Sequence, residues 1–241
     1  MKAKTSGILI SILLIIPLLP VCQEKQAVKT HEDVTVGFVG GINFSNWGNE
    51  ADDFASDFSR ELNYSGFSGT NLDNKNRFGI SIGMYVDVPL TDHFSLQPEL
   101  VYQNKGTSFK GSGYFQGIDM DLKLNMVANY LSLPLLINIH NKREEYGDFV
   151  YFLTGPSVNL RTKSAMKITV SALGESETEE EKYDGIKTLD ANWVLALGYD
   201  FYDARVEIRY EKGLTNISKP DYAEYDFRNN TITLNLGATI H

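Results

Sequence analysis

The chain carries one cysteine, Cys22, so neither a disulfide framework nor thiol chemistry is on hand for the body of the protein. Its four histidines, His31, His93, His140 and His241, are scattered and show no metal-ligand spacing. There is no G-x-S-x-G nucleophile elbow and no phosphate-binding glycine loop, so no catalytic residue, metal or cofactor is expected. Basic residues are scarce: 22 Lys and Arg stand against 31 Asp and Glu, a net charge of −9. A balance of that sign speaks against nucleic acid, which needs a basic footprint. After the N-terminus no apolar run reaches the 18 or so residues that a membrane-spanning helix requires. Tryptophan is rare, with 2 residues, whereas 13 Tyr and 13 Phe favour strands.

What is present begins with a secretory pattern. Lys2 and Lys4 precede the apolar stretch Ile8 to Leu19, and a polar segment follows at once. Residues 1–22 are expected to be a signal peptide, 23–33 a periplasmic tail and 34–241 the folded domain. Removing the signal peptide takes away two lysines and no acid, which moves the net charge from −9 to −11. Cys22 lies at the boundary with Leu19 three residues before it, yet Val21 is larger than the small residue normal before a lipid-modified cysteine. Lipidation of Cys22 stays open.

The body is built from alternation. In Ala204 to Glu211, Ala204, Val206, Ile208 and Tyr210 share one parity, and Arg205, Glu207, Arg209 and Glu211 the other. A strand sends alternate side chains to opposite faces, so one face is apolar and the other fully charged. The same period-two pattern recurs at 34–45, 78–88, 94–103, 125–139, 189–201 and 231–240. Residues 149–160 form another strand, apolar on both parities, whose facing stays open. Eight strands result, joined alternately by long and short connections. The long ones are 46–76 (with a helical turn around Asp52 to Leu62), 106–122, 161–187 (whose start can extend the strand before it) and 216–228. The acidic run Glu175 to Glu181 within them reads as a solvated loop tip.

Segregated connection lengths predict an all-β fold, an eight-stranded antiparallel up-and-down transmembrane β-barrel with long extracellular loops and short periplasmic turns. Lysine or arginine facing lipid at mid-depth costs about 2–4 kcal/mol, and no charge stands mid-strand on the apolar parity. The charges therefore face inward. Asp87, Glu99, Glu207 and Glu211 against Arg77, Lys105, Arg205 and Arg209 make a balanced set, expected to pair as a structural lumen network. Phe94, Phe149, Phe201 and Tyr202 are expected in an aromatic girdle at the short-turn end, and Tyr102, Tyr130 and Tyr210 at the long-loop end. Eight strands enclose an interior that side chains just fill, which favours a scaffold, adhesin or partner-binding module over a wide channel.

Several segments together resemble the PorT-like group of outer-membrane β-barrel proteins of Gram-negative bacteria. They are Leu96 to Gly106 (LQPELVYQNKG), Tyr130 to Ile137 (YLSLPLLI), Thr154 to Leu160 (TGPSVNL) and Arg209 to Ile217 (RYEKGLTNI), with the opening G-x-x-G-I-N-F-S that ends at Ser45. The resemblance implies an outer-membrane barrel without catalytic residues, in contact with outer-membrane lipid and, for one branch, with a protein-secretion machine. The alternatives are an accessory subunit of such a machine, partnered by other envelope or secretion proteins, a membrane-embedded enzyme, and a soluble periplasmic ligand-binding barrel.

Overall fold

The computed structural model describes residues 34–48, 50–141, 149–201, 203–220 and 225–240. The expected signal peptide, the tail, Cys22 and most of the charged turn before residue 149 lie outside these residues. The elements run β1 (Thr35–Asn46), α1 (Glu50–Tyr64), β2 (Phe67–Thr91), β3 (Phe94–Phe115), β4 (Ile118–His140), β5 (Phe149–Ala172), β6 (Glu175–Lys182), β7 (Leu189–Phe201), β8 (Ala204–Gly213) and β9 (Asn230–Ile240). Every strand pairing is antiparallel. Neighbours in the ring are β1, β2, β3, β4, β5, β7, β8, β9 and again β1, so eight strands close a barrel. The ninth, β6, stands outside the ring and, among the described residues, pairs only with β5.

The two faces sort as the alternation requires. Arg205, Glu207 and Arg209 are 2%, 1% and 1% exposed, whereas Val206 and Ile208 between them are 36% and 55% exposed. Around the barrel, Phe38, Ile82, Leu135, Val158, Leu197 and Leu234 also point outward. An apolar belt that runs around a whole barrel far exceeds what a monomer exposes to water, and hydrocarbon resolves it. Asn46, Asn104, Asn129 and Asn230 end the belt on one side.

Beyond that ring β2, β3, β4 and β5 continue, and this is where the structure departs from the sequence reading. Residues 106–122 are the far halves of β3 and β4, and 161–182 are the far half of β5 and all of β6. The polar composition of both segments, glycine-rich in 106–122 and acidic in 175–181, hides the strand signal. Each added residue nevertheless extends a ladder already begun in the barrel, without a new nucleus. Two tight turns close these hairpins, with positive φ at Gln116 (52°) and Gly117 (83°), and at Leu173 (53°) and Gly174 (85°), the I′ geometry that follows strand twist. The projecting strands are about 35 Å long at roughly 3.3 Å per residue.

Parity changes at the boundary on two strands. Between Asn76 and Ser81 β2 inserts one residue relative to β3, and β5 sets Arg161 and Lys163 against Tyr130 and Asn129 of β4. Bulges of this kind collect at barrel rims. Their effect is to turn Leu72 on β2, and Met166 and Ile168 on β5, toward the concave side of the projecting sheet. Below its bulge, β5 turns Tyr151, Leu153, Ser157 and Asn159 inward and Val150, Phe152, Val158 and Leu160 outward, which assigns the facing the sequence left open.

The first long connection folds into that concavity. Glu50, Asp52 and Asp53 occupy the first turn of α1, where acids complement the helix dipole, and Gly66 at φ 103° follows its end. Ala51, Ala55 and Ser59, spaced one turn apart, are its buried stripe. With Trp47, Phe109, Leu124, Met126, Ile217 and Phe227 the two alanines form a hydrophobic core outside the membrane belt. Phe54 packs against Phe109 at 5.1 Å and Phe227 at 5.9 Å between ring centres. The polar connections thus build a folded cap over the barrel mouth.

Candidate functional site: the lumen network and its cap

Inside the barrel the charges form tiers. Nearest the short turns on this axis, Arg205 donates to both carboxylate oxygens of Asp200 (2.8 and 2.9 Å) and to Gln97 Oε1 (3.2 Å). Its guanidinium lies between the rings of Tyr85 and Tyr151, 4.2 and 4.4 Å from their centres. Those rings lie over glycines: a Cβ on Gly37 would meet Tyr85 at 2.2 Å, and one on Gly198 would meet Tyr151 at 2.1 Å. Glycine is required at both positions because only a bare backbone lets a ring lie flat against the wall.

In the next tier Arg209 spans the lumen. Its Nη1 and Nη2 donate to Glu99 at 2.6 and 2.9 Å, and its Nε donates to Glu207 at 2.8 Å. Fork-to-fork geometry of this kind is the strong form of an ion pair. Gln97 donates to Glu99, while Asn235 and the Tyr151 hydroxyl donate to Glu207. Above it, Lys105 Nζ meets Glu211 at 2.6 Å, and Gln103 and Asn192 donate to the same carboxylate. The uppermost tier holds Asp190, which accepts from Asn229 and Thr215, while Asn229 also donates to the Tyr130 hydroxyl at 3.0 Å.

Of the predicted network residues, Glu99, Lys105, Arg205, Glu207, Arg209 and Glu211 come together in these tiers, drawn from β3 and β8 across the lumen. Asp87 is buried apart from them toward the short-turn end, where Asn138 donates to it at 3.0 Å. Arg77 is only half-buried at the boundary and donates to the Lys105 carbonyl, so the expected balance of four against four does not hold. Asp190 and Asp200 add two buried acids, which leaves six carboxylates and three cations among the described buried side chains. Amide and hydroxyl donors make up the difference. Tyr130 is also inside, fully buried, rather than in the outer girdle, because it falls on the inward parity of β4. Tyr102, Tyr210, Phe94 and Phe201 do face outward; the side chain of Phe149 and residue Tyr202 lie outside the described residues. Asp200 was readable from its parity on β7. Asn229, in an irregular connection, carried no signal.

Chemically, each of these carboxylates in the tiers is tied to a cation, an amide or a hydroxyl. The arrangement bridges walls and offers no open nucleophile. No group of His, Cys, Asp and Glu able to hold a metal ion occurs among the described residues.

The sequence profile described as "outer membrane protein beta-barrel domain" matches residues 23–219. The chain belongs to that family. This outer-membrane β-barrel protein therefore resides in the outer membrane of a Gram-negative bacterium, the apolar belt against lipid. No curated relative matches the chain. Among solved structures, it is similar to Ail, the attachment invasion locus protein of Yersinia pestis, at 15% identity, 86% of this chain and 97% of that one, with a TM-score of 0.32. It is also similar to the outer membrane protein OprG from Pseudomonas aeruginosa, at 10% identity, 88% and 98% coverage, and a TM-score of 0.40. The fold rests on the strand pairing described above and not on scores of this size.

Proposed function

We propose that this outer-membrane β-barrel protein is a closed, non-catalytic barrel that serves as a pedestal for partner binding by its folded outer cap. One observation carries the reading. The lumen is crossed by buried ion pairs, and the mouth above them is filled by the core of α1, Trp47, Phe109 and Phe227. A structure built to pass solutes would leave a hydrated path; this one fills it with ion pairs, hydrogen-bonded carboxylates and aromatic rings. Ordering α1 and the projecting strands costs backbone entropy of about 1–2 kcal/mol per residue, and a rigid cap recovers that cost by meeting partners pre-organised. The finer placement, among PorT-like proteins and beside a protein-secretion machine, draws on the four sequence segments and the opening G-x-x-G-I-N-F-S.

Reconstitution in planar bilayers tests the closed barrel. Wild-type protein is expected to give no stable unitary channels, and a variant lacking residues 50–64 to give none either, since the ion pairs remain. Steady single-channel steps from wild-type protein would refute it. Crosslinking in intact cells followed by purification tests the cap: at least one envelope or surface partner is expected, and its loss on deletion of 50–64 or 173–182.

A further inference from the structure

The projecting part of β2 to β6 is an open sheet, so unlike the barrel it has two edges. An edge strand shows a row of unpaired N–H and C=O groups that another strand can take up. On β2 this row is covered. Asn63 of α1 accepts from the Thr70 N–H at 2.9 Å and donates to the Thr70 carbonyl at 3.1 Å, and Ser59 accepts from the Leu72 N–H at 2.8 Å. On β6 nothing among the described residues does the same, and all eight of its residues are exposed. Because Leu173–Gly174 is a two-residue turn, Glu175, Glu177, Glu179 and Glu181 are the positions bonded to β5, and Ser176, Thr178, Glu180 and Lys182 turn their backbone groups to the free edge.

The side chains of β6 say what fits there. On one face everything is matched: Ser176 meets Ser171 at 2.7 Å, Thr178 meets Thr169 at 2.9 Å, and Glu180 takes Lys167 at 2.8 Å and Lys163 at 3.4 Å. On the other face Glu175, Glu177, Glu179 and Glu181 stand in a row about 7 Å apart. Their neighbours across β5 are Ala172, Val170, Ile168 and Met166, which supply no charge. Spacing within a Debye length, about 8 Å at physiological salt, makes the row repel itself and any second copy of the same edge. Like charges directly opposite destabilise a strand pair, and opposite ones stabilise it.

We propose that the free edge of β6 takes up an extended basic peptide as an added antiparallel strand, with lysine or arginine at alternate positions set opposite Glu175, Glu177, Glu179 and Glu181. This rests on the reading of the cap as the partner-binding part and names its partner's chemistry. Such an edge is selective by repulsion as well as attraction: it excludes itself and acidic strands while admitting a basic one.

The probe is a seven-residue peptide of alternating lysine and threonine, with binding to the full chain in detergent or nanodiscs followed by fluorescence anisotropy. Two N-methylated forms of it settle the geometry. Methyl groups on the threonine nitrogens, which face β6, are expected to weaken binding at least tenfold; methyl groups on the lysine nitrogens, which face away, are expected to leave it within twofold. Replacing Glu175, Glu177, Glu179 and Glu181 with Gln is expected to weaken the unmodified peptide at least tenfold, with barrel folding checked by heat-modifiable gel mobility. Equal binding of both methylated peptides would overturn strand addition in favour of plain charge attraction. Absence of binding, or a β6-dependent dimer of the protein, would overturn the proposal as well. Neither result bears on the bilayer recordings, so the closed-barrel reading stands or falls separately.

Discussion

Replacing Arg209 with Met probes the lumen network most directly. The guanidinium makes three of the charge-assisted bonds in its tier, two to Glu99 and one to Glu207. Without it, Glu99 keeps Gln97, and Glu207 keeps Asn235 and Tyr151, so two buried carboxylates face each other with only neutral donors. Breaking a buried pair by removing one partner costs about 3–5 kcal/mol because the remaining charge is stranded. At about 1.4 kcal/mol per decade this is a 10²- to 10⁴-fold loss in the folding equilibrium. With a urea slope near 2 kcal/mol/M the unfolding midpoint in lipid vesicles, followed by gel mobility, falls by about 2 M. The triple variant Glu99→Gln, Glu207→Gln, Arg209→Met removes the stranded charges and is expected to regain most of the loss. A single variant whose midpoint moves by less than about 0.5 M would refute the argument, since it would mean that water already solvates the tier. A triple variant as damaged as the single one would assign the loss to packing.

Other expectations follow from the same geometry. Ile208→Arg places a cation on the outward face at mid-strand and should cost about 2–4 kcal/mol of folding stability in vesicles, whereas in a soluble barrel it would be nearly neutral. Trp193 faces outward and Trp47 is fully buried in the cap, so brominated lipid should quench the fluorescence of Trp47→Phe protein and leave that of Trp193→Phe protein almost unchanged. Gly198→Ala drives a methyl into the Tyr151 ring and unstacks Arg205, a loss of about 1–2 kcal/mol from the cation–π contact alone, read as a lower urea midpoint. Leu173→Asn relieves a bulky left-handed residue at the β5–β6 turn and should slow hydrogen exchange in that hairpin several-fold, for a gain of about 1 kcal/mol.

The alternation in Ala204 to Glu211 was enough to foretell which face of the barrel meets lipid. Period two is a local property, and a charge on the hydrocarbon side is too costly to be tolerated, so sequence parity and membrane burial report the same fact. Seven strands of the ring show that period, and the apolar run 149–160 with the long-short rhythm of the connections completes the count of eight. What the linear pattern did not carry was contact across the lumen. Arg209 meets Glu99 from 110 positions away, and only closure of the ring brings β3 and β8 face to face; Asn229 reaches Tyr130 from 99 positions away for the same reason. Nor did it carry the cap. The polar strands beyond Asn104 and Asn129 form because the barrel templates them, and two bulges, invisible in a binary pattern, turn Leu72 and Ile168 toward the core of the cap. Parity is written residue by residue, but register shifts and loop packing are settled by neighbours that the chain meets only once folded.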